Sequence, residues 1–259
     1  MDNARWNEIN AERWGEMAAR WRAFGLPGPE DVRHRIVDLA CPPGALLLDV
    51  GCGAGLWSVA LAREGYRVHG IDISPHMIDE ARRLADEHGI GGDISKFEVG
   101  DAERITMPDA SIDGVICRNV LDFVSSPGSA LGEIWRVLKP GCCLVLSVLG
   151  ANSPVKREAW RRFLPGAAAP TGMNYMMPWE MEALLGELGW EILGHRPDFG
   201  PAASGASNEY TAEMAGRWED RIVQQTLSTV WEFVIAKPAV VDGLSHPRPG
   251  PALYSEPGR

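Results

Sequence analysis

Between residues 46 and 149, short apolar runs alternate with amphipathic stretches of helical period, a rhythm that confines the chain to a layered α/β architecture. Leu46-Leu47-Leu48-Asp49-Val50 reads as a buried strand, 57–63 as a helix, 67–71 as a second strand and 75–88 as a second helix. Residues 96–99 and 114–117 are the next strands, 129–138 a helix, and 142–149 a strand entered through the turn Lys139-Pro140-Gly141. Such alternation predicts a doubly wound, mostly parallel sheet with helices on both faces.

The flanks complete a seven-stranded sheet. Trp6, Ile9, Trp14, Met17, Trp21 and Phe24 recur at helical spacing before the break at Gly25-Leu26-Pro27-Gly28-Pro29, so residues 1–29 are expected to form a helical cap. Residues 30–237 then make one domain, beginning with a short helix over 30–40 and carrying an insertion over about 151–178 that serves as a lid. Within it, 179–188 and 209–225 read as helices and 190–195 and 229–236 as strands. The last 22 residues, 238–259, hold five prolines and few large apolar groups, and are expected to be disordered.

A net charge of −10 disfavours a nucleic-acid partner, because binding that backbone depends on clustered Lys and Arg. Lys156, Arg157, Arg161 and Arg162 do cluster; the spacing fits a solvated helix face better than a clamp for an acidic substrate. No apolar run reaches the length of a membrane span, the start lacks the layout of a secretory signal, and five cysteines without a CxxC pair argue against disulfides or a metal site. A cytoplasmic monomer or homodimer without membrane partner is expected.

Chemistry concentrates where strands end. Asp49-Val50-Gly51-Cys52-Gly53-Ala54-Gly55 joins the first strand to a helix; glycines there permit a tight turn and close approach of a ligand, and the helix N-terminus beyond presents free N–H groups suited to a carboxylate. A bare tight turn would look the same. Asp72 ends the second strand, where a carboxylate can accept from ribose hydroxyls, although an acid ahead of Pro75 can also serve a helix N-terminus. Gly100-Asp101-Ala102 follows the third strand, where a carboxylate can take an adenine amine. All three lie at carboxyl ends of successive strands, where open parallel sheets bind ligands.

Taken in order, these motifs and Arg136-Val137-Leu138-Lys139-Pro140-Gly141 resemble class I S-adenosylmethionine-dependent methyltransferases, particularly the branch acting on small molecules and quinone precursors. The resemblance implies a Rossmann-like fold and S-adenosylmethionine as cofactor. It further implies that Gly51, Cys52 and Gly53 line the methionine part, Asp49 orients its ammonium, Asp72 holds the ribose, and Asp101 and Ala102 meet the adenine. Ile73 and Met77 would pack on the adenosine, and Cys117 and Arg118 would pass near the sulfonium. Cys52 fills a tight turn, where a small residue is needed more than a reactive thiol.

Methyl transfer needs alignment and exclusion of water more than a base, and no residue stands out as one, though His34, Tyr175, Glu209 and Tyr210 fall in segments expected to border the pocket. Aromatics at helical spacing are ordinarily core. A sharper alternative is that Trp14, Trp21 and the segment 173–177 form an apolar lid over an aromatic or hydrophobic acceptor, with Tyr175 and Tyr210 among its contacts. Competing functions are a nicotinamide-dependent oxidoreductase, disfavoured because Leu56 replaces the last glycine of GxGxxG, a cofactor-binding module that transfers no methyl group, and a methyltransferase of peptide or protein acceptors.

Overall fold

In the computed structural model, residues 2–92, 95–151, 153, 156, 172–198 and 230–239 are described. The helix expected over 209–225, most of the 151–178 insertion, the tail beyond residue 239, and Tyr210, Glu209, Arg157, Arg161 and Arg162 lie outside these residues.

Seven strands form one sheet in the order β3-β2-β1-β4-β5-β7-β6. They are β1 (Leu46–Val50), β2 (Arg67–Asp72), β3 (Ser95–Val99), β4 (Ile112–Arg118), β5 (Leu138–Leu149), β6 (Glu191–Asp198) and β7 (Val230–Ala236). β1 pairs in parallel with β2 and β4, β2 with β3, and β4 with β5. β7 departs from the rhythm: it lies antiparallel between β5 and β6. Alternating hydrophobicity records which residues a strand buries but not which way the strand runs.

The helices are α1 (Asn3–Arg22), α2 (Pro29–Leu39), α3 (Leu56–Arg63), α4 (Pro75–Glu87), α5 (Pro127–Val137) and α6 (Pro178–Glu187). Their boundaries follow local chemistry. Asp2 caps α1 by accepting from Arg5 N–H, Ser74 caps α4 through Met77 N–H, and proline opens α2, α4, α5 and α6, where its missing N–H costs nothing. The Lys139-Pro140-Gly141 turn is drawn into the start of β5, with a register break opposite Ile112 and Gly114.

Strand side chains divide between two cores. Leu48, Val50, Val115, Cys117, Leu146, Val148, Trp231 and Phe233 pack beneath α5 and α6, whereas Leu47, Ile116 and Val145 face α2, α3 and α4. Because both faces are covered, the central strands are nearly continuous apolar runs. Within β1, Asp49 interrupts such a run, and the resulting buried carboxylate requires partners.

Candidate cofactor site

The turn after β1 is strapped to β2. Gly51 N–H and Cys52 N–H both donate to the Ile71 carbonyl, at 2.8 and 3.0 Å. Gly51 has φ +66°, and a Cβ there would stand 2.2 Å from Val120 Cγ2; at Gly53, φ is +54° and a Cβ would stand 3.2 Å from Trp21 Cδ1. Only glycine combines left-handed backbone with so little room, so these positions shape the floor of the site. Cys52 turns its side chain into the core beside Gly70 and Phe97, and burial pushes its thiol well above the ordinary value. It fills space and is not a nucleophile.

Two buried carboxylates flank this turn. Asp72, 8% exposed, accepts from Gly53 N–H at Oδ2 and from Ser74 N–H at Oδ1, both at 2.9 Å. Asp49, 4% exposed, accepts from the Ser58 hydroxyl at 2.6 Å. Burial raises each carboxyl to about 6, against the hydrogen bonds that favour the anion. Asp49 also feels the charges of Arg118 and Arg35, which both lie over the Trp57 indole, 4.6 and 5.0 Å from its centre. Asp101 accepts from Glu103 N–H at 2.9 Å and from Asn7 Nδ2 of α1 at 2.7 Å.

Helix α1 crosses this edge of the sheet. At its N-terminal end, Trp6 Nε1 and Asn10 Nδ2 donate to the Phe123 carbonyl at 2.6 and 2.9 Å; at the other, Arg22 pairs with Glu80 and Glu87 of α4. Trp14 stacks on Trp21 with ring centres 6.1 Å apart and meets Phe123 edge-on at 4.8 Å. Trp14 also packs with Met17, Ala18, Ala54 and Met77. An aromatic wall therefore stands over the glycine turn.

Of the residues anticipated from sequence, Asp49, Gly51, Gly53, Asp72 and Arg118 converge here, with half-buried Ile73 and buried Met77 alongside. Ala102 and Cys117 bury their side chains in the core beneath α5, leaving only backbone for a ligand. Tyr175 lies in the segment held against the loop after β4, with φ +59°. His34 is exposed on α2. Lys156 corrects the expectation of a solvated face: its side chain is 2% exposed and stands 3.1 Å from buried Asp122.

Sequence reasoning missed Arg35, Trp57, Asn7 and Asp122. Arg35 falls on the buried stripe of α2 with Val32 and Leu39, and Asp122 interrupts the apolar run 120–124; a charge set in an apolar pattern was the available signal. Among the described residues there is no group of His, Cys, Asp and Glu that could hold a metal and no helix long and apolar enough to cross a membrane.

The residues fit the expected cofactor. The Asp72 oxygens retain lone pairs beyond their backbone bonds, and the first turn of α3 has no side-chain cap on its N–H groups.

Known proteins show the same pattern. A methyltransferase-domain family model matches residues 48–146. The ubiquinone biosynthesis O-methyltransferase of Xanthomonas campestris pv. campestris is 31% identical over 179 residues, 63% of this chain and 72% of that protein. Malonyl-[acyl-carrier protein] O-methyltransferase of Serratia marcescens is 34% identical over 134 residues, 51% of this chain and 50% of that protein. An S-adenosyl-L-methionine-dependent Diels-Alderase of Talaromyces variabilis is 40% identical over 104 residues, 40% of this chain and 36% of that protein. The chain thus spans half or less of the last two. A crystal structure of a methyltransferase from Methanosarcina mazei shares the fold, with a TM-score of 0.60 at 24% identity over 83% of this chain and 100% of that one. On the extent of these matches, the chain belongs to the class I S-adenosylmethionine-dependent methyltransferases, and S-adenosylmethionine is its cofactor.

Proposed function

We propose that the protein transfers a methyl group to an oxygen, nitrogen or carbon atom of a small aromatic or hydrophobic metabolite, in the cytoplasm. The observation that carries this reading is the cluster of Trp14, Trp21 and Phe123, which sets apolar aromatic surface beside Gly53 of the glycine turn. The Xanthomonas and Serratia relatives, both O-methyltransferases, support it, and five free thiols suit a reducing compartment.

S-adenosylmethionine, when bound, would supply a methyl sulfonium as the donor for in-line displacement, the electron pair of the broken bond being left on sulfur. The chain's part is to bind and align. Asp72 would accept from the ribose hydroxyls, Asp49 with Arg118 would balance the amino-acid end, Gly51 and Gly53 would allow close approach, and Asp101 with Ala102 would meet the adenine. Ile73 and Met77 flank the adenosine. Helix α1 shields the transfer path from water, and the proton displaced from the acceptor passes to solvent as the product leaves.

Trp21→Ala and Tyr175→Ala test the acceptor wall. Each is expected to raise the acceptor KM by about tenfold or more while cofactor affinity changes less than about threefold; loss of cofactor affinity instead overturns the assignment. A second reading, cofactor binding without methyl transfer, is favoured by the Talaromyces relative, a Diels-Alderase. Cofactor recovered unconsumed after turnover of an acceptor would select it.

A further inference from the structure

The ends of β4 and β5 meet at a buried ion pair. Asp122 and Lys156 have side chains 0% and 2% exposed. Asp122 Oδ2 accepts from Leu149 N–H at 2.9 Å, while Lys156 Nζ, 3.1 Å from Oδ1, donates to the Leu149 carbonyl at 2.5 Å and to the Met176 carbonyl. Burial pushes the Asp122 carboxyl up and the Lys156 ammonium down, so each depends on the other to stay charged. A pair of this kind contributes little net stability compared with apolar residues of the same volume; what it can supply is a fixed arrangement.

That arrangement surrounds Tyr175. On one side, Asn174 N–H donates to the Asp122 carbonyl at 2.8 Å, and Asn174 Nδ2 donates to the Leu121 and Val124 carbonyls at 2.5 and 3.2 Å. On the other, Met176 N–H donates to Asn174 Oδ1 at 3.1 Å and its carbonyl is held by Lys156. Between them Tyr175 has φ +59°, a conformation that a side chain with a Cβ adopts at a cost and that persists only where its surroundings over-determine it. Gly172, packed against Asn10, ties the same segment to α1.

We propose that Asp122, Lys156 and Asn174 are positioning residues that clamp residues 174–176 and hold Tyr175 in its left-handed conformation, presenting its ring at the acceptor side of the site. The acceptor side of this statement rests on the function proposed above; the clamp itself does not. Asp122 is not a general base, because it is enclosed by Leu149 N–H and Lys156.

The test replaces Tyr175 in the full chain by 4-fluorophenylalanine and reads its fluorine resonance, with S-adenosylhomocysteine affinity measured by calorimetry. Lys156→Met strands the Asp122 charge and is liable to misfold, so the variants used are the paired Asp122→Asn/Lys156→Gln and the single Asn174→Ala. The expected result is one sharp resonance in the parent and a shifted, broadened or split one in both variants, with S-adenosylhomocysteine Kd within about threefold of the parent. A folded paired variant with an unmoved resonance overturns the clamp. So does a Kd weakened about tenfold or more with the resonance unmoved, which would place the pair in the cofactor site. Because neither readout involves an acceptor, failure of the acceptor assignment, seen as an unchanged KM in Tyr175→Ala, is distinguishable from failure of the clamp.

Discussion

Asp72→Asn probes cofactor binding and the electrostatics of the glycine turn together. The carboxylate accepts from Gly53 N–H and Ser74 N–H, 2.9 Å each, and keeps one further lone pair on each oxygen for the ribose diol. Hydrogen bonds to a charged group are worth about 1.5–3 kcal/mol. An amide accepts at one atom only, so the variant forfeits one such bond and weakens the other; the loss is roughly 2–4 kcal/mol, or about 30- to 1,000-fold in Kd. Stability moves differently. Burial raises the carboxyl from 3.8 to about 6, so between these values the folded state holds more protons than the unfolded one, and stability falls as pH rises through that window. At neutral pH the ionised group thus costs roughly 3 kcal/mol. Asparagine removes that cost but turns an NH₂ toward Gly53 N–H or Ser74 N–H, leaving a buried donor unpaired for about 1–3 kcal/mol. The two changes nearly cancel at pH 7, and a melting temperature within about 5 °C of the parent is expected. Calorimetric titration with S-adenosylhomocysteine and thermal unfolding at pH 4, 6 and 7.5 measure both. A Kd within about threefold of the parent, or an unaltered pH slope of stability, refutes the reasoning.

Three further outcomes are expected. Gly51→Ala places a Cβ 2.2 Å from Val120 Cγ2 at φ +66°; it should destabilise the protein by about 2–4 kcal/mol in denaturant titration, and Val120→Ala should restore the packing part but not the backbone part. Cofactor affinity should fall as pH drops below about 6, where Asp49 and Asp72 take up protons and lose the acceptors they offer to ammonium and ribose; Asp72→Asn should flatten that profile. Asn7→Ala, which frees Asp101 Oδ2 from α1, should change S-adenosylhomocysteine affinity by less than about threefold while accelerating its association in stopped-flow measurements, because α1 loses one of its anchors.

The central fold was legible because fully buried parallel strands announce themselves as apolar runs, as in Leu46–Val50. The place and direction of β7 were not, since Trp231, Phe233 and Ile235 would alternate in the same way in either orientation. Lys156 was misread for a related reason. Its neighbours in sequence are arginines, which suggest a solvated face, while its partner Asp122 is supplied by another element and no spacing rule connects them. Arg35 was equally silent: its Glu232 partner, 2.6 Å away, sits on β7. Local pattern thus marked the glycine turn and its flanking carboxylates, whereas the buried ion pairs depend on tertiary contacts that no local pattern encodes.

Transfer of a labelled methyl group from S-adenosylmethionine to a panel of small aromatic and hydrophobic metabolites tests the central claim most directly. The account predicts label covalently attached to at least one metabolite, with equimolar S-adenosylhomocysteine formed and both abolished by Asp72→Ala. Cofactor that binds tightly yet is recovered intact, while a metabolite is converted without gaining the label, would contradict it.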